Sequence, residues 1–114
     1  MSPDRDRLID ALIAELPGLV FTTGDSVINY LAPSALEKFV RLQALIRAGR
    51  NEEADELLKR DLAPTLAKLE DSLGELVGRT ASPSKALDSA NKVMLLCQEF
   101  QELHRPELER AAGQ

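Results

Sequence analysis

A run of regularly spaced leucines is the strongest constraint on the fold of this chain. The leucines that follow one another at steps of 4, 3, 4 and 3 residues are Leu62, Leu66, Leu69, Leu73 and Leu76. This alternation is typical of a helix that packs along its length against another helix. We therefore predict a long helix from about residue 52 to about residue 77. The neighbour is another helix of the chain or the same helix of a second copy, so the leucines form a candidate helix seam.

Pro64 lies inside this predicted helix. A proline has no amide hydrogen to donate, and its ring clashes with the carbonyl of the residue four positions earlier. We therefore expect the helix to be kinked or split near Leu62.

A tight turn is predicted just before the long helix. Ser34 and Glu37 form a capping box that would open a preceding helix. Gly49 would end that helix in a left-handed conformation, and Asn51 would cap the next one. The chain is therefore expected to form an αα-hairpin near residues 47–53.

Three further helices complete the sequence-based prediction. The first spans about residues 3–16 and stops at Pro17, and a short one is capped by Asp25 and ends at Leu31. The last begins after Ser82 and ends before Pro106. We predict one all-α domain over residues 1–114, a small antiparallel bundle of three to four main helices plus a short helix. Residues 111–114 are expected to fray.

Composition agrees with this fold class. Leu and Ala number 34, whereas Val, Ile and Thr number 13, which favours helix over strand. The net charge is −5 and the basic residues are scattered, so we expect no nucleic acid as a partner. The single cysteine and the lack of an 18-residue apolar run predict a cytoplasmic protein that does not enter a membrane.

The segment 17–33 is unusual because it is apolar although it is predicted to connect two main helices. Its central 13 residues, from Leu19 to Leu31, hold one charge and the only tyrosine. Such a segment must be buried or must offer an apolar surface to a partner or a ligand. The candidate residues for this surface are Phe21, Thr23, Asn29 and Tyr30.

The acidic run at residues 52–56 contains the pattern EExxE. It resembles half of the signature of the all-α MazG-type nucleotide pyrophosphohydrolases, whose carboxylates hold Mg²⁺ against a triphosphate. That family adds an ExxD pair on a facing helix, and the nearest analogue here is Glu99 with Glu102. The alternative interpretation is a solvated first turn that the helix dipole stabilises.

Cys97 and His104 do not form a catalytic pair in this interpretation. Cys97 falls on the apolar side of its helix, as a core residue does, and His104 is expected to interact with the carbonyls at the helix end. We predict no catalytic residue, no metal ligand and no cofactor.

Residues 44–54 also resemble the turn within a tetratricopeptide repeat. Together with Leu62, Pro64, Leu66 and Leu69, they are similar to one hairpin of the four-helix sensor domains of bacterial chemoreceptors. The resemblance implies a bundle that binds a small anionic ligand or a protein helix. It covers about a quarter of the chain, and the 34-residue period of tetratricopeptide repeats is not seen.

Three functions follow as hypotheses. The first is a non-enzymatic interaction module, an adaptor, regulatory or assembly subunit whose partner is another protein or a second copy in a homodimer. The second is a bundle that binds a small molecule in a pocket closed by residues 19–31. The third is the Mg²⁺-dependent nucleotide pyrophosphohydrolase.

Overall fold

A computed structural model describes residues 3–22, 25–79 and 85–104. Its elements are α1 (Pro3–Thr22), α2 (Ser26–Arg47), α3 (Asn51–Leu57), a π turn (Leu58–Leu62), α4 (Ala63–Arg79) and α5 (Lys85–Leu103). They are all helical, which confirms the predicted all-α fold. Over these three ranges, no helix is both long enough and apolar enough to cross a bilayer. The predicted cap at Ser82 and the tail at residues 111–114 lie outside them.

The helices form a ring of antiparallel neighbours. Helix α1 packs against α2 and α5, and α4 packs against the same two helices. An ion pair joins Arg7 near the start of α1 to Glu99 near the end of α5. Another joins Asp25, just before α2, to Arg79 at the end of α4. The arrangement is an up-down-up-down bundle with α3 and the π turn leading into α4.

The leucine stripe belongs to the core of the single chain. Leu62, Leu66, Leu69 and Leu73 are buried, and Leu76 packs half-buried against the same core. Helices α2 and α5, which contact α4, cover them. A second copy could reach these leucines only if the bundle opened. The homodimer seam considered for this stripe is therefore not available in the folded chain.

Helix α1 continues past Pro17, so the prediction that it stops there was wrong. A proline inside a helix costs about 3 kcal/mol. Continuing the helix keeps Leu19 on the same buried side as Leu12 and Leu16. Burial of one leucine contributes about 1.5–3 kcal/mol, which offsets much of that penalty. Pro17 itself points outward and is exposed.

Helix α2 is also longer than predicted. The expected short helix and the expected helix from Ser34 are one element, with Pro33 and Ser34 inside it. The predicted capping box at Ser34 and Glu37 was therefore wrong. The core residues of this helix recur at helical spacing on both sides of the proline and are Ile28, Leu31, Ala32, Ala35, Phe39 and Leu42. This continuous buried side outweighs the local tendency of Pro33 to break the helix.

The hairpin near residues 47–53 is present as predicted. Gly49 has a φ of 75°, the left-handed conformation that favours glycine. The amide of Gly49 donates to the carbonyl of Ile46 at 3.1 Å, and that of Arg50 donates to the carbonyl of Leu45 at 2.9 Å. These two bonds close a Schellman motif. Asn51 is the first residue of α3 and not its cap, which is Arg50 without a side-chain hydrogen bond.

The predicted long helix is interrupted by the π turn just before Pro64, which agrees with the expected split near Leu62. The amide of Ala63 donates to the carbonyl of Leu58, five residues earlier, in place of a partner four residues earlier. The hydroxyl of Thr65 then donates to the carbonyl of Asp61 at 2.9 Å. The wider turn thus accommodates the proline without ending the rod.

Candidate binding surface on helix α2

The four residues singled out from segment 17–33 have different positions. Thr23 lies outside the described residues, and Phe21 lies in α1 but its side chain is not among those described. Asn29 is half-buried on α2. Tyr30 is on α2 as well, with 76% of its surface exposed. The structure places Asn29 and Tyr30 on one helix, and of these two described side chains it is Tyr30 that projects into solvent.

Asp25 fixes the helix that carries this tyrosine. Its Oδ1 accepts hydrogen bonds from the amides of Val27 at 2.9 Å and Ile28 at 3.0 Å, which confirms the predicted cap. Its Oδ2 lies 3.1 Å from Nη2 of Arg79. The hydrogen bond from Ile28 is the main cause that lowers the pKa of Asp25, and Arg79 adds to it while burial opposes it.

An open groove runs beside Tyr30. Its volume is about 520 Å³. One wall is the first turn and a half of α2 and the other is the middle of α4, and the lining residues are Ser26, Val27, Tyr30, Leu31, Lys68, Asp71 and Ser72. Val27 is 51% exposed and lies one turn before Tyr30 on the same side of α2. The groove therefore offers apolar area at its rim, with one cation and one anion on the opposite wall.

The exposed apolar area extends along α2 from this groove. We define the outer face of α2 as Tyr30, Pro33, Glu37, Val40 and Ala44, all of them exposed and spaced at steps of 3, 4, 3 and 4 residues. Val40 is 49% exposed. Phe39 beside it takes the buried side. The spacing of the outer face is visible in the sequence, but only once α2 is known to be continuous through Pro33.

Two other grooves lie at the opposite end of α2 and at the ends of α1 and α5. The first, about 440 Å³, is lined by Asp6, Ile9, Asp10, Gln43, Ile46 and Arg47. The second, about 690 Å³, is lined by Asp4, Arg7, Leu8, Gln98, Glu99, Glu102 and Leu103. Both are lined largely by charged and polar side chains, and neither includes a residue of segment 19–31.

The acidic run at residues 52–56 occupies the exposed start of α3. Glu53 lies 3.1 Å from Arg50, and Glu56 lies 3.6 Å from Arg60. These carboxylates are thus arranged as ion pairs on a solvated helix. In the part of the chain that the structure describes, no three His, Cys, Asp or Glu side chains come together as a metal site would require.

Cys97 is a buried core residue, as predicted. Burial, with a smaller contribution from the negative charge of Glu70, raises the pKa of its thiol to about 12. His104 is buried as well, with its ring centroid 4.6 Å from that of Phe100. A thiol with so high a pKa carries almost no nucleophilic thiolate at neutral pH.

Comparisons with known proteins add no functional information. No family model, no curated protein and no solved structure matches this chain. The geometry of the bundle is therefore the only basis for a functional proposal.

Proposed function

We propose that this protein is a non-enzymatic interaction module, an adaptor, regulatory or assembly subunit that binds a protein partner through the outer face of α2. The observation that carries the proposal is the exposure of Tyr30, 76% of whose surface faces solvent beside an open groove. Tyrosine combines a large apolar ring with a hydroxyl and is among the residues most enriched at the energetic centres of protein interfaces.

The neighbours of Tyr30 support a protein partner. Val27 and Val40 add exposed apolar area on the same helix. Lys68 and Asp71 stand across the groove and offer a partner one cation and one anion. Charged groups beside an apolar area are common in protein–protein interfaces.

The rigidity of α2 also supports this function. The helix is capped by Asp25, held to α4 by Arg79 and buried along its inner side. A preorganised helix loses little conformational entropy on binding.

The free, buried thiol of Cys97 fits a reducing compartment, so we propose that the module acts in the cytoplasm.

Photo-crosslinking in cells that naturally make the protein tests the proposal. Tyr30→p-benzoylphenylalanine should give a discrete covalent adduct with a partner, because the ring at this position would lie inside the interface. The matched control is the same replacement at Leu95, an apolar side chain of α5 that is 56% exposed. Val27→Asp should remove the adduct by placing a charge in the groove.

The outcomes separate clearly. An adduct from position 30 and none from position 95 supports the outer face as the binding surface. No adduct from position 30, or equal adducts from both positions, overturns the proposal.

A further inference from the structure

The outer face of α2 has the pattern of a helix that packs against another helix. Its five residues alternate at steps of 3 and 4, as in the seam of a coiled coil. Three large apolar side chains are exposed on this one helix, Val27, Tyr30 and Val40. The other exposed large apolar residues among those described, Leu95 and Leu103, lie on α5. Among the described helices, α2 thus carries the most exposed large apolar side chains, and its outer face extends from Tyr30 to Ala44.

The charges along this face are self-complementary in one orientation only. Glu37 is the one charged residue of the outer face. Arg41 lies beside the face one turn later, and Arg47 continues its spacing at the helix end. Glu37 and Arg41 form an exposed ion pair with an oxygen–nitrogen distance of 3.5 Å. Were two copies of α2 to pack in parallel, Glu37 would face Glu37 and Arg41 would face Arg41. Such like-charge contacts disfavour association.

An antiparallel arrangement removes this conflict. With the two-fold axis between residues 37 and 41, Glu37 of each copy lies beside Arg41 of the other. The uncharged beginning of the face then meets its basic end, so Tyr30 lies near Arg47 of the second copy. A guanidinium over a tyrosine ring is a favourable cation–π contact. A two-fold axis makes every such pair occur twice.

From this complementarity we infer that α2 mediates an antiparallel homodimer, in which the partner of the outer face is a second copy of this chain. The inference rests on the proposed function and names its partner. Helix α2 has 22 residues and is about 33 Å long. A contact of about 33 Å by about 10 Å is smaller than the roughly 800 Å² per partner of a standard stable complex. The dimer is therefore weak and reversible.

Sedimentation velocity of the purified protein, from about 1 µM to about 500 µM, is the first measurement. The average mass should rise from monomer to dimer within this range. Glu37→Arg and Arg41→Glu should each weaken self-association by about tenfold, because each replaces both cross-pairs by like charges.

The losses in the single variants test the orientation, because a parallel pair would already place like charges together in the native protein. Mixing the two variants tests whether these charges lie in the interface. In an antiparallel pair, one Glu37→Arg chain and one Arg41→Glu chain restore both attractive pairs, so the mixture should form a heterodimer although neither variant dimerises well alone. The matched controls are Glu56→Arg and Arg60→Glu, which alter an exposed pair of the same i, i+4 spacing on α3 and the π turn. These controls should leave self-association unchanged. Circular dichroism melts should show that all four variants are folded.

The outcomes also separate this inference from the proposed function. A protein that stays monomeric throughout the concentration range overturns the homodimer, as does a dimer indifferent to the charge changes. If the adduct from position 30 then contains a different protein, the interaction module stands and only the identity of its partner was wrong. If the adduct has twice the mass of the chain and the mixture rescues dimerisation, both proposals are supported.

Discussion

The carboxylate of Asp25 and the guanidinium of Arg79 lie 3.1 Å apart, although 54 residues separate them in the chain. The contact joins the start of α2 to the end of α4. It works together with the cap that Asp25 provides for α2. One side chain therefore caps the start of α2 and links it to the end of α4.

Removing this side chain should destabilise the bundle. Asp25→Ala removes the cap and the ion pair, and the expected loss in the free energy of unfolding is about 1–2 kcal/mol, most of it from the cap. Asp25→Asn is the matched control, since asparagine caps helices almost as well but cannot pair with Arg79. Because the Arg79 side chain is 64% exposed, the asparagine variant should lose only about 0.5 kcal/mol. Urea unfolding at neutral pH measures the loss in each variant. Equal losses in Asp25→Ala and Asp25→Asn would show that the stabilisation does not come mainly from the cap.

The same residue predicts a pH dependence. The pKa of Asp25 is lower in the folded protein than its ordinary value of 3.8. The unfolded chain therefore takes up the proton first as the pH falls, and the stabilisation is present above pH 3.8 and is lost as the pH falls through the folded pKa. The stability difference between the native protein and Asp25→Asn should shrink over this acidic range. A difference that stays constant on acidification would show that the carboxylate charge contributes nothing.

Two glycines should respond in opposite directions to alanine. Gly49→Ala forces alanine into a φ of 75° and should destabilise the fold by about 1 kcal/mol. Gly74 lies inside α4, and an added Cβ would meet nothing within 4 Å. Gly74→Ala should therefore stabilise the fold by about 0.5–1 kcal/mol, since alanine loses less entropy in a helix. Chemical denaturation shows whether the free energy of unfolding falls in Gly49→Ala and rises in Gly74→Ala. The direction of each change is more informative here than its magnitude.

Thr65 should contribute to stability through its hydroxyl. It accepts a hydrogen bond from Nζ of Lys38 at 2.7 Å and donates one to the carbonyl of Asp61 at 2.9 Å. Thr65→Val keeps the shape but removes both bonds at a buried position, and should destabilise the protein by about 1–2 kcal/mol. Thr65→Ser, which retains the hydroxyl, should recover most of this loss. Thermal melts compare the two, and equal melting temperatures would refute the role of the hydroxyl.

Cys97 should be unreactive while the protein is folded. Its buried thiol has a pKa of about 12, so Ellman's reagent at neutral pH should react only as fast as the chain unfolds. Guanidinium should restore ordinary reactivity. Because the folded thiol keeps its proton to higher pH than an exposed one, stability should fall as the pH rises above 9.0. A Glu56→Cys/Cys97→Ala variant, with an exposed thiol, is the control and should react at once without denaturant.

Local chemistry could be predicted from the sequence where one residue decides the outcome. Gly49 ends α2 because only a glycine adopts that conformation readily, and Asp25 caps it because its carboxylate reaches two free amides. The leucines of α4 were correctly assigned to one side of a helix because their spacing is regular. In each case the signal and its cause lie within one or two helical turns.

The limits of helices could not be predicted where packing opposes a local rule. Pro17 suggested a helix end, and Pro33 falls between the short helix that was expected to end at Leu31 and the helix expected from Ser34. Both prolines lie inside helices whose inner sides are continuous and buried. The strength of that burial depends on helices distant in sequence. For the same reason the outer face of α2 could not be predicted, because Tyr30 and Val40 share a face only if α2 passes through Pro33.

The π turn between α3 and α4 changes how this rod tolerates differences in chain length. Ala54, Leu58, Leu62 and Leu66 are all buried at successive steps of four residues. In a regular helix, three such steps would rotate the last side chain about 120° away from the first. The π turn holds about one residue more than a regular helical turn. This extra residue compensates for about 100° of the 120° rotation, so the buried side chains stay on one side of the rod. A deletion elsewhere in the rod would rotate all later side chains. Loss of the exposed Lys59 should instead leave the buried side aligned, although Pro64 would then lie in a regular helix.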